Sequence, residues 1–286
     1  MRRRLILLAK LAIAALLVTW LIRTGRFEPR ALLEVRSILA LLGLFFFQSC
    51  ITLGQSLRWK VLLDARGMGF SLRDAILLGV AGQFAAVWTP AGLGLDGVRI
   101  MDGARRFPSR HGDVVKVAAL DRVLAVAALL VLAIPGVLWL LRITTISSFA
   151  YGAYLLAVLA LACVVPRKWR AEAIAFSVSL GVHSANAGAA VCAFWALGKS
   201  VSWEGTTLAT PLVMMSGIIP LTPLGIGVVD GAAAELYRRA AMLGGAESTM
   251  LGRAAWIITA LFYGATLLRN KARGTVEKGH TLAGEK

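Results

Sequence analysis

The chain is short of the residues on which soluble chemistry depends. Its three cysteines, Cys50, Cys163 and Cys192, each stand alone inside an apolar run, so neither a disulfide framework nor a CxxC metal motif can be assembled from them. The three histidines, His111, His183 and His280, are too scattered for a zinc site. A nucleotide-binding glycine loop, a hydrolase elbow and a kinase signature are all missing. No cofactor, metal or catalytic residue is therefore expected, and the chain reads as a non-enzyme. Polar surface is scarce as well. Only 16% of the residues are charged and 58% are hydrophobic, with mean hydropathy +0.74, so bilayer rather than water is the expected solvent.

Acids are the scarcer charge: 15 Asp and Glu face 31 Lys and Arg, a formal net charge of +16. Such an excess would suit nucleic acid if it formed a basic stripe interleaved with aromatics. Instead the cations lie in short clusters between apolar runs. That is the positive-inside pattern, with attraction to anionic headgroups added, and it excludes nucleic acid as the partner.

What the chain does have is apolar length. Segments 5–22, 37–57, 114–141, 149–165, 173–197 and 250–268 are each near the ~20 residues that cross ~30 Å of hydrocarbon. The first follows Met1-Arg2-Arg3-Arg4, like a signal peptide, but it exceeds a typical h-region and Leu21 to Gly25 makes a poor cleavage site; a first span is expected. Trp20, Trp59, Trp139, Trp169, Trp195 and Trp203 stand at segment ends, where their amphipathic rings favour the interface. Trp88 and Trp256 do not fit that belt and read as packing residues.

Two further apolar regions, 72–105 and 206–241, are interrupted near the middle and read as re-entrant hairpins of two short helices. From Asp96 to Arg105 the chain rises only ~15 Å as helix, half a bilayer. The expectation is an all-α polytopic membrane protein of six full spans and two broken hairpins. Its single transmembrane domain covers 1–270, with a first repeat at 36–142, a connecting helix at 148–166, a second repeat at 171–269 and a polar tail at 271–286. Arg2/Arg3/Arg4, Arg58/Lys60/Arg66/Arg73, Arg105/Arg106/Arg110/Lys116, Arg167/Lys168/Arg170 and Arg269/Lys271/Arg273/Lys278 fall on one side. The other side holds Arg23/Arg26/Arg30/Arg36, Arg142, Lys199 and Arg238/Arg239. This bias puts both termini in the cytoplasm of a bacterial-type inner membrane.

The two interruptions match. Thr89-Pro90-Ala91-Gly92-Leu93-Gly94 is followed by Asp96, and Thr222-Pro223-Leu224-Gly225-Ile226-Gly227 by Asp230. Proline removes a donor and glycine permits non-helical torsions, so each string stops one helix and starts another. The next helix carries an arginine at comparable offset, Arg122 or Arg253. The unit of span, hairpin and span thus occurs twice, and the single connecting helix turns the second copy upside down. An inverted repeat of this kind brings hairpin tips together near the midplane.

Ionised side chains at depth need partners or water. Asp96, Arg99 and Asp102 are spaced i, i+3 and i+6, as on one helix face. Asp121 and Arg122 lie about two turns inside the third span, and Asp230, Glu235 and Arg253 follow the second break. One reading is that Asp121 or Asp96 merely neutralises Arg122 or Arg99. In the other, Arg99, Arg122 and Arg253 line a polar cavity and bind an anionic group, with the acids preventing irreversible capture. The amino ends of the half-helices at Asp96 and Gly227 would add backbone donors. His183, Ser184 and Asn186 read first as a helix-packing patch, and Arg58-Trp59-Lys60 first as an interface anchor.

Arg58-Trp59 with Leu62-Leu63 and Gly67, the Pro90…Gly94…Asp96…Arg99 break, Asp121-Arg122 and the run from Pro220 to Val228 together resemble the flippase-like family, the transmembrane region of lysylphosphatidylglycerol synthases. The resemblance spans roughly residues 5–270. It implies movement of a lipid or lipid-linked substrate between leaflets, and membrane lipids with anionic headgroups as partners. The aminoacyl-transferase domain of the larger synthases has no room in the tail after Asn270, so synthase activity is not implied. Family members usually have glutamate where Asp96 and Asp230 stand, which leaves the substrate open. An ion-coupled carrier of a small soluble anion, and a non-enzymatic lipid-binding or scaffold protein, are the other readings of the same residues.

Overall fold

The structure is a computed structural model that describes residues 2–89, 93–143, 147–218 and 221–283, with side chains taken from residues 8–265 other than Ser148. Pro90, Ala91, Gly92 and Pro220 lie outside the described residues, as do the side chains of the basic clusters at the two ends of the chain. The described residues are all helical and contain no strand. Ten α-helices follow in order: α1 Arg2–Arg23, α2 Ile38–Asp64, α3 Leu72–Val87, α4 Leu93–Arg106, α5 His111–Leu140, α6 Ser148–Cys163, α7 Arg170–Ala196, α8 Trp203–Ser216, α9 Val228–Arg239 and α10 Gly245–Ala283.

Among the described residues, three segments are long and apolar enough to cross a membrane: Ile38–Asp64, Pro108–Leu140 and Arg167–Ala196, which contain α2, α5 and α7. Their outward faces carry large apolar side chains that water would not favour, among them Leu42, Phe46, Val123, Leu130 and Ile134. The chain is a membrane protein. The apolar α6 is shorter, at 16 residues or about 24 Å of rise.

The helices pack as two matching halves. α2 and α7 form the most extensive interface and run antiparallel: a Cβ on Gly43 would meet Cys192, one on Gly54 would meet Val182, and one on Gly188 would meet Phe47. Around this pair each contact in one half recurs in the other. α3 packs on α4 as α8 does on α9, α2 on α3 as α7 on α8, and α4 on α5 as α9 on α10. The halves also exchange arms, since α3 lies against α10 and α8 against α5.

Local chemistry accounts for the helix ends. Ser37, Ser71, Ser147 and Ser202 each accept a hydrogen bond from a backbone N–H of the first turn of α2, α3, α6 and α8. Pro135 sits inside α5 and leaves the Val131 carbonyl without its helical donor. The Tyr154 hydroxyl of α6 donates to that carbonyl at 2.9 Å, which lets the helix continue and ties α6 to it.

Two apolar clusters occupy the two ends of the assembly. One gathers Trp59, Leu62, Leu63, Met68, Val114 and Val117; the other gathers Phe194, Ala209, Val213, Ala233, Tyr237 and Met242. Trp59 is completely buried in the first and is not an interface residue. Trp88 is 69% exposed at the end of α3 and, among the described residues, its ring contact is an edge contact with Phe84, so its expected packing role is corrected too.

Candidate functional site

The first break ends α3 at Val87 and restarts the chain as α4 at Leu93. Thr89 bridges the two. Its hydroxyl donates to the Ala85 carbonyl at 3.1 Å and accepts from the Gly94 N–H at 2.7 Å. Gly94 is required by space rather than torsion, because a Cβ there would lie 2.4 Å from the Ala85 backbone. The second break is longer and occupies residues 217–227, between α8 and α9. Within it a short 3-10 turn spans Pro223–Gly225, and Leu224, Gly225 and Gly227 have φ of 54°, 71° and 85°. Glycine adopts such left-handed torsions readily, whereas Leu224 does so under strain. Thr222 is buried beside this turn.

Each break delivers an aspartate to the first turn of the following half-helix, and each aspartate holds the arginine of the next helix. Asp96 accepts from Arg122 Nε at 2.6 Å. Asp230 accepts from Arg253 through both oxygens, at 3.2 and 3.0 Å. The repeated strings are therefore matched by a repeated ion pair. The pairs differ in access: the Arg122 and Asp96 side chains are 47% and 18% exposed, those of Arg253 and Asp230 11% and 0%.

Asp230 also accepts from the Gly227 N–H at 2.8 Å. With Thr89 occupying the Gly94 N–H, these two amides at the starts of the half-helices are already satisfied from within the chain. At Gly227 that one amide is committed to Asp230 rather than open to a ligand.

Arg122 and Arg253 line one cavity of about 450 Å³ bordered by α2, α3, α5, α7, α8, α9 and α10 with the start of α4. Most of its wall is apolar, from Ile51, Leu95, Val182, Val213, Met214 and Val229 among others. Its polar groups include Gln48, Gln55, Gln83, His183, Asn186 and Trp256.

Arg99 and Asp121 are elsewhere. Asp121 accepts from Arg58 Nε and Nη2 at 2.6 and 2.8 Å and from Arg99 Nη1 at 3.3 Å, in a fully buried cluster. Arg58 further donates to Ser179 at 3.0 Å, and Arg99 donates to the Gln55 carbonyl at 2.9 Å while lying over the Trp59 ring. Sequence reasoning placed Arg58 at the interface and missed this role. Its partner is 63 positions away, so no local spacing could have signalled it. Nor do Asp96, Arg99 and Asp102 serve one place, since Asp102 pairs with Arg106 instead. At ~100° per residue, positions i and i+6 are about 120° apart, enough to send them to different neighbours.

His183 fits the helix-packing reading: its Nε2 donates to the Ala125 carbonyl of α5 at 3.0 Å. Asn186 donates to Val182 of its own helix, and Ser184 faces outward. Glu235 pairs with Arg238 and Arg239 at the far end of α9, away from the cavity. No group of metal-ligating residues occurs among the described residues. No family model and no curated protein matches this chain.

Proposed function

We propose that this chain is a flippase-like membrane transporter that moves an anionic phospholipid or lipid-linked phosphate between leaflets. In this reading α1, α2, α5, α6, α7 and α10 are the six spans, and α3–α4 and α8–α9 are re-entrant hairpins of opposite orientation with both termini cytoplasmic. The observation that carries it is the pair of Asp–Arg bridges from matching breaks, whose two arginines open onto one largely apolar cavity. A guanidinium suits a phosphate because it donates in a fixed fork and stays charged. Apolar walls tolerate the upper part of an acyl chain, and the aspartates keep the cavity from holding the anion too tightly. The resemblance of the break motifs to the flippase-like family points the same way.

The test uses the purified full chain in liposomes with a headgroup-labelled lipid and an external quencher. Faster exchange of labelled phosphatidylglycerol or polyprenyl phosphate than in protein-free liposomes is the expected result. Accessibility equal to empty liposomes for every anionic lipid tried would overturn the proposal. Uptake of radiolabelled inorganic phosphate that lipid does not compete away would favour a carrier of small anions instead.

A further inference from the structure

One polar feature of the cavity has a direction. Trp256 Nε1 lies 2.8 Å from Gln83 Oε1, and Gln83 Nε2 lies 2.8 Å from Gln55 Oε1. An indole nitrogen can only donate, so the Gln83 oxygen must be the atom that faces it. The Gln83 nitrogen must then donate to Gln55, and only the Gln55 oxygen can accept. A single obligate donor on α10 thereby sets the orientation of two carboxamides, one on α3 and one on α2. The last atom of the chain, Gln55 Nε2, has no partner among the described residues, and Gln55 lines the cavity that Arg122 and Arg253 also line. Its backbone is held as well, since the Gln55 carbonyl accepts from the buried Arg99.

We propose that Gln55 is a ligand-binding residue that presents its carboxamide N–H groups to a phosphate oxyanion, and that Trp256, through Gln83, is the positioning residue that fixes this polarity. This rests on the transport reading above and adds to it a third donor, contributed by an uncharged side chain. Flipping Gln55 would turn an oxygen toward an anion, and reversing Gln83 would require its nitrogen to face the indole N–H. Both flips are blocked while Trp256 is in place.

The experiment measures binding of short-chain phosphatidylglycerol, and in a separate arm inorganic phosphate, to the full chain in neutral detergent. Gln55→Glu replaces the donors with a carboxylate; Trp256→Phe keeps an aromatic ring and removes only the indole N–H. For Gln55→Glu a loss of about tenfold or more in phosphatidylglycerol affinity is expected. Trp256→Phe is expected to weaken the same affinity while binding of a zwitterionic phosphatidylcholine changes little. A purely structural role would weaken both lipids together, and that result overturns the inference for Trp256. Wild type that binds phosphatidylglycerol alongside variants that bind it equally well overturns the inference but leaves the transport reading standing. Wild type that binds neither probe overturns both. Binding of phosphate as tight as that of the lipid, lost in the same variants, supports Gln55 while assigning the ligand to the free anion.

Discussion

At Asp121 two guanidinium groups meet one carboxylate with almost no water to share, and the next residue, Arg122, reaches a cavity instead. Removing one partner from a buried ionic cluster leaves uncompensated charge, at a cost of ~3–5 kcal/mol. Asp121→Asn should accordingly lower the unfolding midpoint in detergent sharply, because Arg58 and Arg99 would then repel each other in a dry site. Arg122 is half-exposed, and its bridge to Asp96 should contribute ~1 kcal/mol or less. Arg122→Gln should therefore fold normally, whereas Arg253→Gln should be the less stable variant, since it strips the fully buried Asp230 of its cation. Thermal unfolding followed by circular dichroism separates the three. Much of this was legible in the chain, because charged residues inside apolar runs must find partners. Which partner was not legible. The sequence named Asp96, Arg99, Asp121, Arg122, Asp230 and Arg253 but gave no means of seeing that Arg58 would turn inward, or that Gln55, Gln83 and Trp256 would form an ordered chain.

The helix breaks were the easiest elements to read, since proline and glycine act locally, and α3, α4, α8 and α9 begin and end within a few residues of the bounds of the interrupted regions 72–105 and 206–241. Close approach between helices was not readable, because it depends on what lies opposite a glycine. In α5, a Cβ on Gly136 would lie 2.3 Å from the Leu208 carbonyl oxygen of α8, a backbone atom with little freedom to move. Gly136→Ala and Gly94→Ala should each destabilise by about 1–3 kcal/mol through forced separation of the backbones. Tyr154→Phe should cost ~1–3 kcal/mol, because the Val131 carbonyl exposed by Pro135 would lose its only observed donor. Unfolding midpoints of the three variants against wild type give the measurement. An unchanged midpoint in Tyr154→Phe would mean that another donor satisfies that carbonyl.

At the scale of the molecule, the halves match in their packing but differ in the access they give to their ion pairs. Under the proposed transport function the two halves would exchange roles, and the exposed Arg122 bridge with the sequestered Arg253 bridge would be one of two states. A cysteine at Arg122 should react faster with a charged thiol reagent than one at Arg253, and adding phosphatidylglycerol should narrow the gap. Equal rates for both thiols, with and without lipid, would argue against exchange. The most direct test of the central claim is the rate of labelled phosphatidylglycerol exchange in liposomes holding wild type or Arg122→Gln. A wild-type chain that exchanges the lipid, and a stably folded Arg122→Gln that does so at least about tenfold more slowly, is the predicted result. Equal rates in the two proteins would contradict it.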